Sequence, residues 1–307
     1  MLAQSILEVI GNTPLVSLNK MLPCSAGEVW LKLESGNPTG SYKDRMAISV
    51  LNEAIQRGDL KKGDRVVEYT GGSTGTALAF VSSVLGLKFT AVFSDAFSDS
   101  KKQAMEAFGG QVIVEKSIDG AITPELIQRM KSLAHALASE PGSFYADQFG
   151  SPDVRKGYEP MGLEIAHDLS GHLDVLVAGV GTGAALMGTM DGLKKAGVSA
   201  NIIALEPLQS PLLTRGKGGP HKVEGIGVGF EPPFLDRAQL SEIRAIDQGD
   251  AFEMCRRLAR EVGIFCGAST GLNVVAAIAL AEELGSGHRV VTFGCDNGTK
   301  YLGGDIY

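Results

Sequence analysis

The chain lacks most of the features that would assign it a partner or a compartment. Among its 307 residues there are four cysteines, Cys24, Cys255, Cys266 and Cys295, and no CxxC spacing, which removes the usual zinc and dithiol patterns. His167 and His172 stand too far apart to hold one ion from a single helix face, so no metal site is expected. Charge of one sign never accumulates: 28 basic and 35 acidic residues leave a net charge of −7. That balance argues against nucleic acid or an anionic membrane as the main partner. No apolar run is long enough for a membrane span, and Met1 to Ile10 carries neither a basic n-region nor a cleavage pattern. A cytoplasmic protein with reduced, buried thiols is expected. Internal repeats, coiled-coil heptads and low-complexity tails are missing as well.

What the chain has in excess is glycine. Its 40 glycines are about twice the usual share, and they cluster where strand-like runs give way to helical ones. Strands are expected at Val29–Leu33, Arg65–Tyr69, Phe89–Phe93, Gln111–Val114, Asp174–Ala178, Ile202–Leu205 and Arg289–Phe293. Helical patterns cover Met46–Ile55, Thr76–Leu85, Ser100–Phe108, Leu126–Ala138 and a segment ending at Lys195. This alternation implies α/β layers with largely parallel sheets. With 44% hydrophobic residues over 307 positions the chain can bury a large core in one or two domains. The turn cluster Gly150-Ser151-Pro152-Asp153 marks a boundary near Gln148 to Pro152.

Three glycine-bearing segments carry candidate chemistry. Lys43 stands in Asn37-Pro38-Thr39-Gly40-Ser41-Tyr42-Lys43-Asp44-Arg45, where Ser41 and Asp44 read as a capping box opening a helix. In the first helical turn the dipole disfavours an ammonium. A partly deprotonated lysine there can attack a carbonyl and form a Schiff base, although a solvated lysine at a helix start would look the same. Thr70-Gly71-Gly72-Ser73-Thr74-Gly75 links a strand to a helix and offers hydroxyls and amides suited to a carboxylate. Gly179-Val180-Gly181-Thr182-Gly183-Ala184-Ala185 does the same and suits a phosphate. It also fits the dinucleotide fingerprint, with Glu206 placed as the ribose-binding acid. An NAD-dependent Rossmann oxidoreductase is therefore the rival reading, although it leaves Lys43 and the Thr70 loop without a role.

Taken together these segments resemble the cysteine synthase / cystathionine β-synthase family of pyridoxal 5′-phosphate (PLP) enzymes. The likeness runs from Ile10-Gly11-Asn12-Thr13-Pro14-Leu15 to Gly298-Thr299-Lys300-Tyr301-Leu302. The resemblance implies fold type II, as in the tryptophan synthase β chain: two three-layer α/β domains with PLP between them. A smaller, mobile domain would span 44–147, and a larger one would join 1–43 to 148–307. Lys43 would carry PLP and act as general base. Gly181, Thr182, Gly183, Ala184 and Ala185 would form the phosphate cup, with Ala184-Ala185 where the family usually has Gly-Thr. Thr70, Gly71, Thr74 and Gln148 would bind the substrate carboxylate, and Gly227 would line the entrance in Glu224-Gly225-Ile226-Gly227-Val228-Gly229-Phe230. Ser73 replaces an asparagine that contacts the PLP 3′-oxygen, and Gly71 replaces a serine. Asn297 stands where the family has a serine facing the pyridine nitrogen, with Asp296 as the alternative partner. The implied reaction is β-replacement on a β-substituted L-serine through an α-aminoacrylate, led by cysteine synthesis with sulfide or another small nucleophile. A β-eliminating lyase or serine/threonine dehydratase shares the same segments, and a non-catalytic binding partner would lack a use for Lys43. A homodimer is the family expectation.

Overall fold

The computed structural model describes residues 2–120 and 122–307. Along the chain run β1 (Leu15–Ser17), β2 (Glu28–Leu33), α1 (Lys43–Arg57), β3 (Arg65–Tyr69), α2 (Ser73–Leu85), β4 (Lys88–Ser94), α3 (Asp99–Ala107) and β5 (Gln111–Glu115). Then come α4 (Pro124–Ala138), β6 (Ser143–Tyr145), α5 (Pro152–Lys156), α6 (Glu159–Asp168), β7 (Val175–Gly179), α7 (Ala184–Lys195) and β8 (Asn201–Pro207). The chain finishes through α8 (Leu212–Arg215), β9 (Glu242–Ile246), α9 (Gln248–Val262), α10 (Ala268–Leu284) and β10 (Arg289–Gly294). It divides into two compact units, Met1–Ile10 with Lys43–Gly157, and Gly11–Tyr42 with Tyr158–Tyr307. These bounds differ from the expected 44–147: the first unit extends through α5 and takes in Met1–Ile10.

The first unit is built on a four-stranded sheet of order β5-β4-β3-β6, parallel throughout. From Phe89 onward every residue of β4 is buried. Neighbouring residues on a strand point to opposite faces, so both faces must be covered. Helices α2 and α4 both pack on β3 and β4. Val67, Tyr69, Val92, Leu126, Met130 and Ala134 form the core beneath α4. Ser49 and Arg57 of α1 reach back to Asp153 at 2.8 Å each, which ties α5 into this unit.

The second unit holds a six-stranded sheet of order β1-β2-β10-β7-β8-β9. Only β1 runs antiparallel to its neighbour. Val175 to Ala178 are buried without interruption, and β7 packs on both α7 and α10. The expectation of α/β layers with mainly parallel sheets therefore holds in both units. The pattern reading did not name α9 and α10. Helix α10 is apolar on nearly every side, from Ala268 to Ala281, because α9 covers the face that the sheet does not.

Helices α6 and α7 meet backbone to backbone. A Cβ on Gly162 would lie 2.1 Å from the Thr189 carbonyl oxygen, and one on Gly192 would lie 2.0 Å from that of Glu159. Neither obstacle is a side chain that can turn away. Gly192→Ala is therefore expected to lower unfolding free energy by about 1–3 kcal/mol through overpacking, read as a fall in the urea midpoint. Gly303→Ala, which meets nothing within 4 Å, should change it by less than about 0.5 kcal/mol.

Candidate active site

The residues singled out above fall in both units. In the first, Lys43 is the opening residue of α1 and is half-buried. The helix opens two residues later than Ser41, because Ser41 is still extended and pairs with Asp296 in an isolated antiparallel bridge. The capping-box expectation is corrected to that extent, and the N-cap position falls to Tyr42. Lys43 remains in the first turn, where the amides are unpaired by the helix itself and the dipole opposes a positive charge.

The Thr70 loop sits at the C-terminal end of β3, and its own hydroxyl organises it. Thr70 Oγ1 accepts the N–H groups of Gly72 and Gly75, each at 3.1 Å. Gly72, at φ 157, is the N-cap of α2, so Ser73 and Thr74 lie in the first turn of that helix. Gln148 leaves the adjacent strand β6 and meets this turn from the side. Its Oε1 accepts the Thr74 hydroxyl at 2.8 Å and its Nε2 donates to the Tyr69 carbonyl at 3.0 Å. Thr74 and Gln148 are thus brought together, which their separation of 74 positions does not reveal. With Thr74 donating to Gln148, the second Nε2 hydrogen of Gln148 remains as a donor beside the first turn of α2. Gly71 has a further reason to be glycine: a Cβ there would lie 2.9 Å from Cε1 of Phe97. Phe97 fills the space that a serine side chain would need, and no sequence pattern pointed to it.

Glu68, the residue before Tyr69, also escaped notice. Its carboxyl is fully buried, and Oε2 accepts the Gln148 N–H at 2.9 Å. Burial, reinforced by the charge of Asp147, pushes the carboxyl up to about 8 against the opposing hydrogen bonds from Gln148. The signal was there in Val66-Val67-Glu68-Tyr69, an acid inside an apolar strand.

In the second unit the glycine loop after β7 turns into α7. Gly183 is the N-cap, at φ 85. A Cβ on Gly181 would lie 2.3 Å from the Gly225 carbonyl oxygen, and one on Gly183 would lie 2.8 Å from the Leu235 nitrogen. The loop is therefore a tight cradle whose open side presents amides. Thr182 Oγ1 accepts the Ala184 N–H at 3.2 Å, which leaves the hydroxyl hydrogen to donate outward. Ala184 and Ala185 contribute amides only, in the first turn of α7. Such a donor set, without a basic side chain of its own, fits a phosphate at a helix N-terminus. Gly227 lies beside this cradle, its N–H donating to the Val180 carbonyl at 3.0 Å.

Asn297 follows β10, and β10 neighbours β7, so both segments leave adjacent strand ends. Its Oδ1 accepts the Thr299 N–H at 2.9 Å and caps the 3-10 turn Gly298–Tyr301. That bond fixes the amide plane and leaves its NH₂ to offer two donors. Asp296 instead accepts the Tyr301 hydroxyl at 2.7 Å, and burial followed by that carboxylate's charge holds the phenol well above its ordinary range. Asn273, an amide inside α10, joins the two strand ends: Oδ1 accepts the Gly179 N–H at 2.7 Å and Nδ2 donates to the Phe293 carbonyl at 2.9 Å.

The dinucleotide alternative fails at Glu206. Its carboxylate accepts the Leu213 N–H, the Thr214 N–H and the Thr214 hydroxyl at 2.7, 2.9 and 2.6 Å. Both of its oxygens are committed to holding the first turn of α8, which is a structural role in place of the ribose contact. A cavity of about 980 Å³ in this unit lies beside Lys32, Glu164 and Trp30 and is lined by none of the site residues just described. Lys32 is neutralised there by Glu164 at 2.9 Å. Among the described residues no group of His, Cys, Asp and Glu is placed to hold a metal ion.

Residues 6–296 match the family described as pyridoxal-phosphate dependent enzyme. A cysteine synthase of Staphylococcus aureus is 37% identical over 99% of this chain and 96% of its own length. An O-ureido-L-serine synthase of Streptomyces lavendulae is 38% identical over 98% of this chain and 91% of its own. A crystal structure of O-ureido-L-serine synthase superposes with a TM-score of 0.92 at 36% identity, covering 100% of this chain and 95% of that one. The chain belongs to the pyridoxal-phosphate dependent enzymes, in their fold-type II, cysteine synthase-like branch, and PLP is its cofactor.

Proposed function

We propose that this enzyme replaces the β-substituent of an activated L-serine, with cysteine formation from sulfide as the leading case. The observation that carries the reading is the uncharged amide of Asn297, fixed by its cap to Thr299, with Asp296 engaged by Tyr301. When bound, PLP supplies an aldehyde that condenses with amines and a ring that draws electron density from the substrate α-carbon. A neutral donor at the ring nitrogen keeps that pull weak, which favours loss of an α-proton coupled to departure of a β-group. In this reading Lys43 Nζ would hold the cofactor and would take the substrate α-proton as general base. The amides of Gly181, Thr182, Gly183 and Ala185 and the Thr182 hydroxyl are assigned to the phosphate, with the Ala184 N–H bracing Thr182. Ser73 is assigned to the PLP 3′-oxygen. Thr70, Gly71, Thr74 and Gln148 are assigned to the substrate carboxylate, and Gly227 to the entrance. The relatives' names span a sulfur product and an oxygen-linked one, so the nucleophile varies on this framework.

A cytoplasmic homodimer completes the proposal. In support, all four cysteines are free thiols, and among the described residues no helix is long and apolar enough to cross a membrane. Light scattering on the eluted protein should give twice the chain mass.

The purified protein should be yellow, and Lys43→Ala should lower β-replacement by at least about 10³-fold, since one change removes both anchor and base. Pyruvate and ammonia in place of a substituted alanine would make the enzyme a lyase. A colourless protein with full activity would end the PLP assignment of Lys43.

Asn297→Ser should be mild, weakening PLP only a few-fold, because one hydrogen bond is worth about 1 kcal/mol. Asn297→Asp, which offers a charge to the ring nitrogen, should raise racemisation and transamination in the product spectrum. A larger loss from Asp296→Ala than from either change would transfer the role to Asp296.

Gly71→Ser must displace the Phe97 ring. It is expected to alter relative rates on different β-substituted serines while PLP stays bound. Loss of PLP with unchanged preference would remove the loop from the substrate subsite.

A further inference from the structure

The Thr74–Gln148 pair is itself held by a group that the reaction above does not use. Glu68 Oε2 accepts the backbone N–H of Gln148 at 2.9 Å. Its Oε1 is buried and has no hydrogen-bond partner. The residue between, Asp147, stands at φ 49, a left-handed conformation that an L side chain keeps only when its neighbours hold it there. The carbonyl of Asp147 accepts the N–H groups of Gly150 and Ser151 on one side, and Glu68 pins Gln148 on the other. Gln148 then has one register from which its side chain reaches both Thr74 and the Tyr69 carbonyl.

We propose that Glu68 is the positioning residue of the substrate-carboxylate subsite, acting through Gln148, and that a negative charge on its own carboxyl opposes binding of the substrate's. The inference rests on the carboxylate-binding role given to Gln148 and Thr74 above. The titratable groups around Glu68 are Asp147 on the loop, Tyr69 on its own strand and Tyr145 on β6. The hydroxyl of Tyr145 is likewise buried without a partner. His135 of α4 lies against the Tyr145 ring, centroids 4.4 Å apart. None of the groups that shift Glu68 is a cation. Ionised, Glu68 would place an uncompensated buried charge one residue from the loop that must accept a second carboxylate.

The sign follows from the direction of the shift. The folded-state value is raised to about 8, so Glu68 is a neutral acid below that pH and an anion above it. Its contribution to stability is fully present below the ordinary carboxyl value of 4.5, declines as pH rises from there, and is lost once pH has passed about 8. Substrate affinity, which depends on the folded protein alone, should fall as pH rises through about 8.

The test measures Kd of the holoenzyme for L-serine, read from the absorbance of bound PLP, between pH 6.5 and 9.5. The ratio of wild-type Kd to that of Glu68→Gln cancels the titration of the amino acid itself. It is expected to rise about tenfold across the interval. At pH 7, Glu68→Ala should weaken L-serine about tenfold while kcat for β-replacement stays within about threefold, and Glu68→Gln should recover most of the loss. A second readout uses the apoprotein, where the urea midpoint of Glu68→Gln should gain on wild type as pH rises from about 4.5 to about 8 and hold a constant lead above that. Should Glu68→Ala fail to fold, Glu68→Gln alone decides. A flat Kd ratio, with Gln148→Ala still weakening L-serine, overturns the role of Glu68 and leaves the subsite standing. An unchanged Kd in Gln148→Ala removes the subsite assignment and this inference together.

Discussion

Parallel strands cannot be joined by tight turns, and that constraint shapes this molecule. Each crossover helix returns the chain to the same edge, so the C-terminal ends of the strands face the N-termini of helices. Where strand order reverses, neighbouring loops diverge and leave a crevice. The first unit reverses between β3 and β6, and the second between β7 and β10. From those four strand ends come the Thr70 loop, Gln148, the Gly181 cradle and Asn297. In each unit one of those ends opens a helix, α2 or α7, whose first-turn amides the helix itself leaves unpaired.

A buried hydrogen-bond network then fixes the strand ends against one another. Asn273 joins the ends of β7 and β10, Thr270 accepts the Cys295 N–H at 3.0 Å, and Thr292 donates to the Val177 carbonyl at 2.6 Å. Each of these side chains is buried, and each would be costly there without a partner. Their value lies in geometry: Asn297 and the phosphate cradle keep their spacing within the second unit because the strands beneath them are cross-linked by side chains.

The glycine loops were legible in the sequence because each interrupts a run of buried β-residues just before a helical pattern. The layers followed from the same alternation. Other parts were not legible, for identifiable reasons. Helix α10 has no polar face and hence no period to detect, since α9 and the sheet cover it on opposing sides. Strands β1 and β6 are three residues long, too short for alternation to register. The Thr74–Gln148 contact depends on β6 lying beside β3, which is a fact of topology. Glu206 matched a spacing rule, yet its oxygens are committed to α8, and only coordinates reveal what a carboxylate accepts. Ser41 read as a cap because its neighbours fit, whereas its pairing with Asp296 keeps the chain extended for one more residue.

The contact of Gly162 and Gly192 has a consequence for how this enzyme can change. Helix α7 carries the phosphate cradle at one end and is held near the other by a contact made of backbone alone. No side chain mediates it, so no substitution can shift it by degrees, and any added carbon must move a whole helix. Lineages exploring new chemistry would find α7 immovable. Variation would have to arise in the segments that approach the loops, such as Phe97 over Gly71, where one ring can be exchanged for another and the scaffold beneath is left as it was.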